Sequence, residues 1–448
     1  MLSKDDAREV AERLVERAIR AGADSADALY VGSGSTDVQV RLGELDHVNR
    51  SEGEDVGLRV FVGSRPASVG SSDLSPQALD ELVSRALAMA AEAPEDAFAG
   101  YAPADLLARA PFADLDSIDP IEPDPAELRA RALEAEKAAL AVEGVTNSSG
   151  AGASTSSATV ALVTSTGFAG AYRATGRGCS VSVVAGEGAG KQRDSWSHSA
   201  RHLEDMDSAE RIGREAGRRA VARLNPVRPK SGAMPVLFDP RVATSLLGHF
   251  AGAITGSSVA RKSSFLQEKL GERVFAEGVE IVDDPLRPRG LRSRPFDGEG
   301  MRVSRQEIVA DGVLQTWMAD SASARQLGIA PTGHSSRSVT SPHGVSPSNF
   351  YIAGGKRSRD ELLAAFPEAL LVTELIGQGV NPVTGDYSRG AAGFLVTGGE
   401  IGPPVQEITI ASNLIEMFAT LEPGTDLEFR RGVDAPTILI PRMTVGTA

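Results

Sequence analysis

One cysteine, six histidines and 5% aromatic residues are all that this chain of 448 residues offers of the side chains on which disulfide scaffolds, metal sites and heavy cores rest. Cys179 alone closes no intramolecular disulfide, which fits a cytoplasmic location. No run approaches the roughly 18 consecutive apolar residues of a membrane helix, so no membrane association is expected. Met1 to Arg20 is a charged amphipathic pattern rather than a signal peptide. Positive charge is short as well: 46 Lys and Arg against 60 Asp and Glu give −14. Such a chain repels phosphate backbones and anionic lipid, which argues against a general nucleic-acid binder.

What is present suits a soluble globular protein of two domains: 41% hydrophobic residues, 24% charged, and 47 glycines. Few aromatics and many glycines predict cores of small and β-branched side chains joined by tight turns. Val10, Leu14 and Ala18, with Ala11, Val15 and Ile19, recur at helical spacing up to a stop at Gly22. Short alternating strands are expected at Val38–Leu42 and Val56–Val62, around the turn signal Gly32–Ser35. Ser75-Pro76 opens a helix to about Ala90. Residues 92–123 form an extended connection, and Asp124-Pro125-Ala126-Glu127 starts the next helix with a capping box. Gly and Ser fill 148–157, strands follow near 158–164 and 180–184, and a basic helix covers 207–224.

Asn225 to Gly232 holds two prolines and a glycine, and the domain boundary is placed there. The expected architecture is α+β: an N-terminal α/β domain over 1–228 with short strands and long helices, then a β-rich, mostly antiparallel C-terminal domain over 229–448. In the second half a helix is expected from Asp239-Pro240 to about Thr255. Strands are expected near 279–283, 302–309, 313–319, 369–375, 391–397 and 405–410, with a short helix near 412–420.

Catalytic motifs are scarce. Only His198 and His202 are four apart; no Glu follows the first, and Arg201 opposes a cation, so the segment reads as a surface loop. Gly186 to Lys191 resembles the end of a phosphate loop, yet Ala185 and Gln192 stand at two required positions, and a glycine hairpin is the better reading. No Gly-x-Ser-x-Gly occurs. The most unusual stretch is Gly377–Phe394, with five glycines around Asp386, Tyr387, Ser388 and Arg389. Such density lets backbone approach a peptide, another subunit or the chain's own sheet.

GDYSRGAAGF at 385–394 is similar to the signature of the PmbA (TldE) branch of the TldD/PmbA family. SLLGHFAGAITG at 245–256, RKSSFL at 261–266, RPFDGEG at 294–300, SASARQLG at 321–328, PTGH at 331–334, VTELIGQGV at 372–380 and EITIASNL at 407–414 match in the same order. The resemblance covers the C-terminal half; the N-terminal half fits by element order and by GLRVFVG at 57–63. It implies a heterodimer with a TldD-like chain that encloses a peptidase chamber for unfolded or small, including modified, peptides. The TldD-like chain holds zinc through His-Glu-x-x-x-His and a later cysteine, with the Glu as general base.

Here that helix keeps His249 but has Phe250 at the Glu position and Ile254 at the second His, and Cys179 lies far upstream. The resemblance therefore implies no catalytic residue, no metal and no cofactor in this chain, with zinc in the partner. It leaves open whether the chain acts as an enzyme at all. The implied role is a non-catalytic subunit that forms one wall of the cleft and supports its partner. Candidate peptide or partner contacts are His249, Arg261, Lys262, Gly385, Asp386, Tyr387, Ser388, Arg389 and Gly390. A homodimer is expected when the partner is absent. Two other readings stand beside this one: a stand-alone hydrolase of the family with an unrecognised site, and a binding or regulatory protein without a peptidase partner. A role as a modulator of DNA gyrase finds no support in the −14 charge or in any DNA-binding motif.

Overall fold

Two runs of helix, three strands and helix build the first half of the molecule. The structure, a computed structural model, describes residues 1–341 and 343–447. The first run is α1 (Lys4–Arg20), β1 (Ser25–Arg41), β2 (Glu44–Val62), β3 (Arg65–Ser71) and α2 (Pro76–Glu92). The second is α3 (Pro125–Leu140), β4 (Val145–Thr164), β5 (Ala169–Ala185), β6 (Gln192–Ala200) and α4 (Ala209–Ala222). Their strands merge into one antiparallel sheet, β3-β2-β1-β4-β5-β6, joined where β1 meets β4.

The expected short strands are in fact long, 17 residues in β1, 19 in β2, 20 in β4 and 17 in β5. Gly32–Ser35 and the 148–157 run lie inside strands, with Gly34 opposite Ser157 and Ser35 opposite Ser156. Both strands are paired on each side, and ladder hydrogen bonds need only the backbone, so context overrides the composition.

The helix starts follow their caps. The Ser3 and Ser75 side chains accept the Asp6 and Ala78 N–H groups, and Asp124 and Glu127 form the expected capping box. Helix α1 buries Ala7, Ala11, Leu14, Val15 and Ala18 and leaves Ile19 exposed. It shares a core with α2, while α3 and α4 cover a second core on Val38, Val40, Val181 and Val183. Helices α3 and α4 meet closely because a Cβ on Gly213 would lie 2.1 Å from the Ala135 carbonyl oxygen.

The second half continues with β7 (Gly232–Phe238), α5 (Pro240–Ala253), α6 (Gly256–Ala260), β8 (Ile281–Asp283), β9 (Gln306–Ala310), β10 (Val313–Leu314) and α7 (Ser321–Leu327). Next come β11 (Ser335–Ser336), β12 (Gly344–Val345), β13 (Phe350–Ile352), α8 (Arg359–Leu363), β14 (Glu368–Ile376), β15 (Asp386–Thr397) and β16 (Glu400–Asn413). It ends with α9 (Leu414–Thr420), β17 (Glu422–Pro423), β18 (Val433–Asp434) and β19 (Ile438–Thr447).

The main sheet runs β16-β15-β14-β7-β19-β17, and β16 also pairs with β19, which closes a ring of strands. A second sheet runs β10-β9-β8-β13-β18. Pairing is antiparallel except at β7–β14 and β13–β18. Val236 and Phe238 of β7 face the largest core and Leu237 a smaller one under α8, the period-2 alternation of a strand covered on both faces. The whole is a mixed α+β fold with a β-rich C-terminal region.

Residues 225–231 run between the two sheets, tied where the Val227 N–H donates to the Pro404 carbonyl and where Ser231 Oγ accepts the Thr447 N–H. The halves are clamped elsewhere. Arg337 reaches into the first sheet, donating to the Asp27 and Gly57 carbonyls and pairing with the Asp27 carboxylate. Arg289 joins Asp116 and Glu204 at 2.5 Å. Phe296 and Met301 share a cluster with Leu29, Leu162 and Phe168.

Candidate functional site

Asp239 caps α5 by accepting the Arg241 N–H, and Pro240 follows as the first helical residue. This sets the helical phase that decides where the motif positions point. Phe250 is fully buried, 4.9 Å edge-on from Phe275, 6.0 Å from Phe418, and stacked at 6.3 Å on Phe350. Ile254 is also fully buried in the same core. His249, one residue before Phe250, lies on another side of the helix, with its ring 6.1 Å from that of Tyr387 and nearly perpendicular to it.

Strand β15 supplies the rest. Tyr387 and Arg389, two apart, share a face. Gly385 opens the strand at φ +80°, a left-handed turn that suits glycine, and its carbonyl accepts the Leu414 N–H. The crowding of glycines is explained by the chain's own sheet: a Cβ on Gly379 would lie 2.0 Å from the Ser388 carbonyl oxygen, and one on Gly393 1.9 Å from that of Leu371. Asp386 points outward, accepting from Thr384 Oγ1 and Asn413 Nδ2. Ser388 is exposed, its N–H held by the Gly379 carbonyl, and Gly390 pairs with Ile376.

Three polar atoms are left over in this place. His249 Nε2, the Tyr387 hydroxyl and Arg389 Nε are buried and have no hydrogen-bond partner among the described residues. Burial, and then the Arg389 charge, hold the His249 imidazole below its ordinary range, so it is neutral at pH 7. Burial pushes the Tyr387 phenol up against an opposing pull from Arg389, so its proton stays available for donation. No ion pair or hydrogen bond engages the Arg389 guanidinium among the described residues. Arg261 and Lys262 follow α6 with exposed side chains. Their segment is tied to the glycine-rich connection where the Phe265 N–H donates to the Pro382 carbonyl. The structure thus gathers His249, Tyr387 and Arg389, sets Gly385 and Gly390 as backbone, and leaves Asp386, Ser388, Arg261 and Lys262 on the surface.

Zinc does not fit this donor set. One imidazole faces the site from α5, while Phe250 and Ile254 carry no lone pair and are packed into the core. No group of three or more His, Cys, Asp or Glu is arranged to hold a metal among the described residues.

The chain matches three family models in succession: PmbA/TldA metallopeptidase domain 1 over residues 26–90, the central domain over 118–224 and the C-terminal domain over 231–447. It is 38% identical over 444 residues to Metalloprotease PmbA of Escherichia coli O157:H7, covering 98% of this chain and 96% of that protein. The chain belongs to the PmbA/TldD metallopeptidase family. Among solved structures of this fold, TldE of Thermococcus kodakarensis superposes with a TM-score of 0.86 at 20% identity over 97% of this chain and 99% of that one. A Bacteroides thetaiotaomicron protein named for modulation of DNA gyrase superposes at 0.91 with 24% identity, over all of both chains.

For a PmbA/TldD chain the histidines outside the motif have structural work. The surface-loop reading of His198 and His202 needs correction. His198 sits on β6 and its Nδ1 accepts the Asp207 N–H, and His202 is buried with Nε2 at 2.8 Å from the Asp116 carbonyl oxygen. Gly186–Lys191 is the turn between β5 and β6.

Sequence reasoning missed a buried polar cluster behind the family segments 294–300 and 331–334. Glu299 accepts from the Ser321 N–H and Oγ, Ser335 Oγ lies 2.9 Å from His343 Nδ1, and Asp283 lies 3.3 Å from His334 Nε2. Burial and then the Asp297 carboxylate push Glu299 up to about 7. Acidic residues and histidines inside apolar-flanked motifs were the available signal.

Proposed function

We propose that this chain is the non-catalytic, PmbA (TldE)-type subunit of a cytoplasmic peptidase pair, and that hydrolysis takes place on the zinc of a TldD-like partner. One observation carries the reading: the positions that hold the general base and the second zinc ligand in the partner's motif are Phe250 and Ile254, both core residues with no exposed surface. A phenyl ring activates no water, and one imidazole without a second donor holds zinc too weakly for catalysis.

The chain's contribution is then a wall that binds peptide. Arg389 presents donors at the foot of strand β15, with neutral His249 and the buried Tyr387 hydroxyl behind it. A peptide carbonyl or carboxylate finds there the partners that the chain itself does not use, the Arg389 guanidinium above all. Beside them the connection 377–384 lies at the surface, its own backbone held by hydrogen bonds at Val380, Asn381 and Pro382. Partner contact is assigned to the same rim, where Ile376 (57% exposed), Val383 (53%) and Ile415 (45%) present large apolar side chains. Without the partner, the same rim accounts for a homodimer. The substrate class is unfolded or small peptides.

Arg389→Ala in the reconstituted pair tests the peptide-binding role. The expected result is a rise in KM for an unstructured peptide of about tenfold with zinc content unchanged, in line with a lost charge-assisted contact of about 1.4 kcal/mol. Unchanged KM and kcat would remove the role assigned to this arginine.

A further inference from the structure

In the first sheet, Ala28, Tyr30, Val56 and Leu58 face α1 and α2, so strand alternation turns Asp27, Leu29, Gly57 and Arg59 toward the second half. On that face Gly57 of β2 and Gly70 of β3 stand directly opposite each other in register, which leaves a notch. Residues 337–341, which follow β11, lie in it. A Cβ on Gly57 would come within 2.2 Å of the Val339 carbonyl oxygen, and one on Gly70 within 2.8 Å of Thr340 Cγ2. Glycine at both positions is what lets the segment sit at this depth.

Few bonds hold it there. Among the described residues, the main chain of 337–341 makes no hydrogen bond to the first half, and within the segment the Ser341 N–H donates to Ser338 Oγ at 3.2 Å. The Arg337 side chain reaches inward. It pairs with the Asp27 carboxylate and donates to the Asp27 and Gly57 carbonyls at 3.4 and 3.2 Å. Asp27 has another partner, because Arg59 Nε donates to the same carboxylate at 2.6 Å. Arg337 is thus the second guanidinium on one buried carboxylate, and burial pushes it down to about 9. Its departure would return a charge to water and leave the Asp27–Arg59 pair whole. Ser338, Thr340 and Ser341 already face solvent. Arg289, by contrast, ties the halves together through three carboxylates, Asp116, Glu204 and Asp205.

We propose that residues 337–341 form a detachable strap across the seam between the halves, released as a unit while the rest of the molecule stays folded. Release withdraws Arg337 from Asp27 and lifts Val339 out of the Gly57–Gly70 notch. It also gives water a path to the buried cluster at the root of the strap, where Ser335 Oγ lies 2.9 Å from His343 Nδ1 with Glu299 beside them. The strap needs neither partner nor zinc, so it does not rest on the peptidase reading.

Trypsin supplies the test. It cuts after arginine and takes an extended stretch of chain, so Arg337 is a target only when the strap is free. The full-length chain is incubated with trypsin, and the initial rate of cleavage after Arg337 is followed by mass spectrometry, corrected for trypsin's own activity on a short peptide. The expected result is cleavage there in native buffer, at a rate that changes by less than about twofold in urea well below the unfolding transition, since local opening exposes little surface. Gly70→Val, on the edge strand β3, fills the notch without touching the cleavage site. It is expected to speed cleavage about tenfold or more, while the melting temperature falls by no more than a few degrees. No cleavage after Arg337, or cleavage that begins only when urea reaches the global transition, would overturn the proposal, and this comparison needs no variant. So would an unchanged rate in Gly70→Val.

Discussion

His249 keeps its place on α5 while the residues that would make it a zinc ligand have become part of the core. Its imidazole is held neutral by burial and by Arg389, and it faces the Tyr387 ring with Nε2 left without a partner among the described residues. The identities of Phe250 and Ile254 were plain in the sequence, because a motif is contiguous and its loss is visible without coordinates. The partnership of His249 with Arg389 was not, since 140 positions separate them and only the packing of α5 beside β15 joins them. The Glu299 cluster was hidden for the same reason: Glu299, Ser321 and His343 come from three separate segments.

That cluster gives a pH prediction. Glu299 is pushed up to about 7, mainly by burial, from an ordinary value near 4.5. The folded state thus binds this proton more tightly than the unfolded chain. The stabilisation is fully present below the unfolded value and is lost as pH rises toward 7 and beyond. His343 is held low by burial and contributes with the opposite sign, so wild type alone does not isolate the effect. Glu299→Gln does. Relative to the variant, wild type is expected to lose on the order of 3 kcal/mol between pH 5 and pH 8. Thermal melts of both proteins across that range check it, and parallel curves would contradict it.

At the scale of elements, helix starts were the most legible feature. Ser75-Pro76 and the Asp124–Glu127 box act through local hydrogen bonds, and they open helices where expected. Strand lengths were illegible in the first half, because residues such as Ser154–Ser157 signal turns by composition yet are held by neighbours on both sides. The structure packs Phe250 of α5 against Phe275, Phe350 and Phe418. Phe250→Ala is expected to destabilise the second half by about 3–5 kcal/mol, read by chemical denaturation. A cost under about 1 kcal/mol would mean that Phe250 is not the core residue described here.

At the scale of the molecule, hydrophobic periodicity pointed to a mixed α+β fold with a β-rich C-terminal region, which the structure shows, but to short strands where the first half has long ones. The closure of the main sheet of the second half through β16 and β19 was not legible, since strand pairing across the C-terminus leaves no local signal. The rim at Ile376, Val383 and Ile415, proposed as the partner contact, belongs to this scale. Ile376→Asp together with Val383→Asp is expected to abolish co-elution with a TldD-like chain in size-exclusion chromatography. The melting temperature of the isolated chain is expected to shift by no more than a few degrees. Retained co-elution would move the interface elsewhere.

The central claim concerns where the chemistry happens. Peptidase activity on an unstructured peptide, with zinc quantified in the same samples, should be measured for this chain alone, for its TldD-like partner alone and for the mixture. Zinc bound to the partner, with none on this chain and activity in the mixture, is the predicted result. Stoichiometric zinc and peptide hydrolysis by this chain alone would contradict the account, and would mean that a metal site exists away from His249, Phe250 and Ile254.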